Sequence, residues 1–266
     1  MDLQISERRE LMHHLPRCGD LENRVSESDG YAWLPPDAFS ALPAALTFAQ
    51  QVFEQRRSQV KLDQRIYRGA DLLTGTRYED APPLFDLALS NEILQLASDY
   101  MGEIPVLLKP RLWWTRPEGP NAQFSGTQLF HRGRPEAPHI RRQAKFLVTV
   151  NDVDENSGPF TFISADLSAK IFPGYCSGER VSDEEMYRNV PAAATLRHVG
   201  PPGTILMVDT CRCFHFGRRA SSKERLLLMI QFMGHADAPE QDRVERSATF
   251  VEKYAGDPVR MLVMPD

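Results

Sequence analysis

With 266 residues, 42% apolar and 25% charged, the chain can bury one large core and is too ordinary in composition to be disordered. A net charge of −5 argues against counterion-driven nucleic-acid binding, and no apolar stretch approaches the roughly 18–20 residues of a bilayer span. The charged N-terminus lacks a signal-peptide apolar region, and four unevenly spaced cysteines make no disulfide framework, so a reduced, cytoplasmic setting is expected.

Residues 1–36 read as mixed, with a short extended piece at 31–36. Residues 37–60 read as a helix capped by Asp37, with Leu42, Leu46, Ala49, Val52 and Phe53 at helical spacing. A second helix is expected over 83–101, where Leu84, Leu87, Ala88, Leu89, Ile93, Leu94 and Leu96 fill a broad apolar face before Gly102 stops it. The signal then changes to strands at 104–114, 143–150, 160–163, 194–198, 203–208, 213–217 and 226–233, separated by Gly/Pro turns such as 151–159. The polar loop 164–194 is too long to be an idle connection and reads as a lid. Many short strands and twenty prolines point to a mainly β protein, a sandwich or jelly roll. The expected organisation is a single domain: a helical part over 1–103, an eight-stranded jelly-roll core over 104–235 and a tail over 236–266.

Of seven histidines, His13, His14, His139, His198 and His235 have nothing to raise them above core or surface residues. His131 and His215 differ: each ends a strand-like run and is followed two positions later by glycine, at the rim where jelly rolls place ligand sites. An iron with open positions needs neutral imidazoles and a carboxylate on one face. Cys211, Cys213 and His215 alternate on one expected strand, which could suggest zinc. Structural zinc usually takes four ligands and paired cysteine knuckles, so core packing is the better reading.

The order and spacing of several segments carry a family likeness. These are Gln128-Leu129-Phe130-His131-Arg132, the turn from Asn151 through Gly158-Pro159-Phe160, Gly203-Thr204, the run from Asp209 to Gly217, and Arg225. Over roughly 105–233 the chain resembles the phytanoyl-CoA dioxygenase-like branch of the iron(II)/2-oxoglutarate-dependent oxygenases. The resemblance implies a double-stranded β-helix (jelly roll) core, a mononuclear iron(II), O2 and 2-oxoglutarate as co-oxidant. By it, His131 and His215 match the two iron-binding histidines and Arg225 matches the arginine that grips the far carboxylate of 2-oxoglutarate, a role its planar fork suits. Gln128 and Lys145 are further candidates for the cosubstrate pocket. Lys145 either faces inward or lies on a solvent-facing strand surface.

The chain departs from the pattern at Gly133. The family has His-x-Asp, and here the triplet is His131-Arg132-Gly133. Three readings follow. In the iron/2-oxoglutarate halogenases glycine or alanine replaces the carboxylate and a halide takes its place, so chloride or bromide is expected and C–H halogenation is the leading reading. Hydroxylation at a two-histidine site, with water or a surrogate carboxylate such as Glu136 or Asp152, is the second. A non-catalytic binding protein that has lost the metal is the third. The basic residues Arg132, Arg134, Arg141, Arg142 and Lys145, with Arg218 and Arg219, flank both histidines. They suggest a small-molecule substrate that is anionic or tethered to an acidic carrier, with Arg132 and Arg134 as substrate-binding candidates. Tyr67, Arg68 and Asp71 in the segment 60–80 are candidate substrate walls, as is the loop 164–194.

Overall fold

The long strands carry two periodic sets of side chains, and the two sets bury against different layers. The structure is a computed structural model that describes residues 3–21, 24–59, 69–73, 77–117, 124–133, 142–172, 175, 179–219 and 222–265. Its strands are β1 (Tyr31–Leu34), β2 (Gly69–Asp71), β3 (Val106–Thr115), β4 (Gln143–Thr149), β5 (Phe160–Phe162), β6 (Leu196–His198), β7 (Ile205–Val208), β8 (His215–Phe216) and β9 (Arg225–Met233). Six of them form an antiparallel sheet in the order β1-β7-β4-β9-β3-β2, and β6-β5-β8 form a second sheet. This is the mainly β jelly roll expected, with nine strands rather than eight among the described residues.

On β4, Ala144, Phe146 and Val148 face the helices, and on β9 so do Leu226, Leu228, Ile230 and Phe232. The alternate residues Leu147 and Leu227 pack between the two sheets with Phe160, Phe162, Leu206 and Val208. Period-two alternation thus assigns one set to a helix-facing core and the other to the interior of the roll. In that interior the polar members Gln143, Lys145, Arg225 and Gln231 face cavities instead.

The helical layer is built from α1 (Leu3–Leu11), α2 (Leu42–Arg56), α3 (Pro82–Ala88) and α4 (Asn91–Met101). Between strands run α5 (Ala165–Ile171) and α6 (Asp183–Asn189), and the chain closes with α7 (Ala248–Tyr254) and α8 (Pro258–Val263). No described helix is long and apolar enough to cross a membrane.

Three expectations need correction. The helix expected over 37–60 starts at Leu42 with Pro43 in its first turn, and Asp37 sits in a separate one-turn 3-10 segment, so it does not cap it. The helix expected over 83–101 is two helices: Ser90 breaks it because its hydroxyl caps α4, accepting from Ile93 N at 3.4 Å. Gly102 does end α4, in the left-handed conformation (φ 74°) that lets it close the last turn. The loop 164–194 contains α5 and α6 and is not an unstructured strap. The tail is a packed helix pair, with Val259, Val263 and Met264 buried in the helix-facing core.

Candidate functional site

His131 and His215 come from segments 84 positions apart and are brought together by a two-residue antiparallel bridge. The His131 amide donates to His215 O (3.1 Å) and the His215 amide donates to His131 O (2.9 Å). Their ring centroids are 4.3 Å apart. Each ring is fixed in the same way: His131 Nδ1 lies 2.8 Å from Leu129 O and His215 Nδ1 lies 2.9 Å from Cys213 O. A carbonyl can only accept, so each Nδ1 carries the proton and each Nε2 keeps its lone pair. Burial pushes the His131 pKa down to about 4 and that of His215 well below the usual range. Two neutral imidazoles, each anchored through the nitrogen it does not need, are what a divalent metal requires.

Gly133 follows on the same segment. Its amide donates to Thr210 O (2.9 Å), and its φ of 71° lies in the left-handed region. Asp152 does not supply the missing carboxylate, since it is exposed in its turn. Glu136 lies outside the described residues, as do Arg134, Arg141, His139, Tyr67 and Arg68. Among the described residues no group of three or more His, Cys, Asp and Glu could hold a metal.

Two cavities meet at the histidine pair, and both are lined by Trp113, Thr127, His131, Lys145 and His215. The smaller, about 210 Å³, extends past Phe160 and Leu227 to Arg218 and Arg225. Arg225 is 3% exposed. Its only side-chain hydrogen bond is a long one from Nη2 to Thr115 Oγ1 (3.5 Å), and Nε and Nη1 have no acceptor among the described residues. Burial, with Arg218 nearby, pulls its pKa down to about 9. Buried donors are nearly always satisfied, so an unsatisfied guanidinium at the end of a cavity fits an absent anion. The Thr127 hydroxyl, buried and likewise without a partner among the described residues, is a polar group on the shared wall that the sequence does not single out. The larger cavity, about 330 Å³, opens on the Gly133 side.

Lys145 faces inward, on the wall common to both cavities. Gln128 lines neither. Its side-chain amide bonds to backbone, donating to Arg218 O (3.0 Å) and accepting from Ser125 N (3.4 Å). Arg132 also lines neither: its guanidinium lies 5.1 Å from the Tyr175 ring and 5.2 Å from the Phe214 ring. Arg142 pairs with Glu27, and Arg219 makes a bidentate ion pair with Asp183 (2.7 and 2.9 Å) while lying 3.4 Å over Phe216. Arg132, Arg142 and Arg219, three of the five described members of the basic cluster, are therefore structural, while Lys145 and Arg218 line the cavities. Cys213 is buried with its thiol against the carbonyls of Asp29 and Gly30, and burial pushes its pKa up, so Cys211, Cys213 and His215 form no thiolate site.

No family model matches the chain, and no curated protein matches it. Solved structures do. EctD from S. alaskensis, with 2-oxoglutarate and 5-hydroxyectoine, superposes with a TM-score of 0.58 at 17% identity, covering 84% of this chain and 78% of that one. HygX from Streptomyces hygroscopicus, with nickel and 2-oxoglutarate, gives 0.55 at 14% identity over 83% of this chain and 88% of its own. The chain shares the jelly-roll fold of EctD and HygX. SnoN, a non-heme alpha ketoglutarate dependent epimerase from nogalamycin biosynthesis, is more distant, at 0.50 and 16% identity over 80% of this chain and 82% of that one. At these identities the likeness is one of fold. Within that fold, the histidine bridge and the cavity ending at Arg225 belong to this chain's own residues.

Proposed function

We propose that the protein is an iron(II)/2-oxoglutarate-dependent enzyme that halogenates a C–H bond of a small molecule. The observation that carries it is the pairing of two Nδ1-anchored imidazoles with a glycine where a third ligand would stand. His131 and His215 would hold the metal through Nε2, and the orphaned donors of Arg225 would take the far carboxylate of 2-oxoglutarate. Iron, 2-oxoglutarate and O2 together supply the oxidising power for hydrogen-atom abstraction. The chain supplies position and, among the described residues, a histidine pair with no third protein ligand beside it. The wall common to both cavities, with its neutral histidines and Lys145, carries no carboxylate among its described lining, and a chloride or bromide would offset the cation.

The second reading, hydroxylation at a two-histidine site, draws on the likeness to EctD, whose structure holds 5-hydroxyectoine. Gly133→Asp separates the two. The left-handed backbone there costs a side-chain residue about 1–2 kcal/mol, and aspartate is among those that tolerate it. For the wild-type chain, chloride is expected to tighten 2-oxoglutarate binding in the presence of iron without oxygen, and Gly133→Asp should abolish that dependence. Binding of 2-oxoglutarate that ignores chloride in the wild type would overturn halogenation and leave hydroxylation.

A further inference from the structure

We propose that the larger cavity takes a small hydrophilic anion, a carboxylate or phosphate ester with hydrogen-bonding groups of its own, gripped by Lys109 and Arg111 as the substrate of the reaction proposed above. The cause lies in a single irregularity of β3. Leu108 pairs with Gln231 and Arg111 with Met229, so two residues of β3, Lys109 and Pro110, stand opposite one residue of β9. Pro110 has no N–H for the ladder, which is why a bulge is tolerated there. The bulge resets the alternation, and Lys109 and Arg111 both line the cavity.

Arg111 is held in place: Nη1 donates to Asp71 Oδ2 (3.1 Å) and Nη2 lies 3.8 Å from Asp242. Lys109 Nζ donates to Gln241 O (3.1 Å), a neutral acceptor that leaves its charge uncompensated by that contact. Lys109, Arg111 and Lys145 line the cavity with Asp242, and with Asp71 behind Arg111 the three cations still outnumber the two carboxylates, so the cavity favours an anion.

A relay of side chains gives the floor its own direction. Gln231 Nε2 donates to Gln143 Oε1 (2.6 Å), and Gln143 Nε2 donates to the Thr210 hydroxyl. That leaves the Gln231 oxygen to accept and the Thr210 hydroxyl to donate, a complementary pair for a hydroxyl or amine on the ligand. At about 330 Å³ the cavity lies near the small end of ligand sites. A long hydrocarbon chain would bury these polar groups without partners, at a cost the apolar walls at Leu108 and Trp113 do not offset.

Calorimetry on the full chain tests this with glycerate, inorganic phosphate and octanoate at millimolar concentration, with and without nickel(II) and 2-oxoglutarate. Glycerate and phosphate are expected to bind saturably, and octanoate more weakly than glycerate. Lys109→Ala, at a half-buried position, should weaken glycerate about fivefold, the order of one partly exposed charge contact. Gln231→Leu should remove the advantage of glycerate over propionate, and Arg225→Ala should abolish 2-oxoglutarate binding while leaving glycerate in place. Octanoate binding more tightly than glycerate, no effect of Lys109→Ala, or loss of glycerate in Arg225→Ala would each overturn the assignment. A chain that binds glycerate through Lys109 but never 2-oxoglutarate would overturn the proposed reaction and keep the cavity assignment. The converse pattern would do the reverse.

Discussion

Arg225 is a full charge at the inner end of a cavity, with two of its nitrogens unsatisfied among the described residues. A buried charge without a partner is destabilising, and replacing buried ionic groups by apolar residues of similar size often gains about 1–4 kcal/mol. Arg225→Met is therefore expected to raise the thermal midpoint of the ligand-free chain and to weaken 2-oxoglutarate about a hundredfold, the order of two charge-assisted hydrogen bonds. Differential scanning calorimetry with and without 2-oxoglutarate checks both. A variant less stable than wild type without ligand would mean the guanidinium is already satisfied. That His131, His215 and Arg225 would converge was legible in the sequence because their neighbours and order carry the signal, and they line adjoining cavities. The roles of Gln128 and Arg132 were not, because what they touch, the Arg218 carbonyl and the Tyr175 and Phe214 rings, lies 43 to 90 positions away.

At the scale of elements, the strands were readable because burial on two faces leaves a period-two record in β4, β7 and β9. The helix boundaries were less so. An apolar face continues through Leu89, and only the capping chemistry of Ser90 divides α3 from α4. The segment 164–194 was expected to be a lid; it is anchored by Ile171, Phe172, Met186 and Val190 packed with Phe130, Phe214 and Phe216, by Val181 N donating to Phe130 O (2.8 Å), and by one long basic side chain. Arg219 joins α6 through Asp183 and stacks on Phe216, Phe124 and Phe130. The Asp183 side chain is 43% exposed, so the ion pair is discounted and the ring contacts weigh more. Arg219→Ala is expected to cost about 1–2 kcal/mol and to speed hydrogen exchange in α6 while leaving β4 and β9 protected. Equal acceleration in all three would show that Arg219 supports the whole roll and not the α6 attachment.

Across the whole molecule, the first and last helices pack as one layer that the sequence did not advertise. Arg8 of α1 is 1% exposed and donates to Ile104 O (2.8 Å) and Leu262 O (2.9 Å), so a charged residue ties β3's approach to α8. Acid sensitivity also belongs to this scale. His131 and His198 are pushed down to about 4 by burial, and His215 well below its usual value, against about 6.5 in the unfolded chain. Between those values the unfolded state takes up protons that the fold refuses, so stability falls as pH drops from about 6.5 toward 4. Asp209 acts in the opposite sense, because burial raises its pKa to about 6 and its burden is relieved as pH falls. Three histidines outweigh one carboxyl, and the midpoint should decline between about pH 6.5 and 4.5. A level midpoint there would show that the histidines are not held neutral.

The most direct measurement is an anaerobic titration of the chain with iron(II) and 2-oxoglutarate, followed by visible absorption. A weak charge-transfer band is expected, saturating with 2-oxoglutarate and lost in His131→Ala and His215→Ala. No band in the wild type, or a band that persists in both variants, would contradict iron held by the histidine pair.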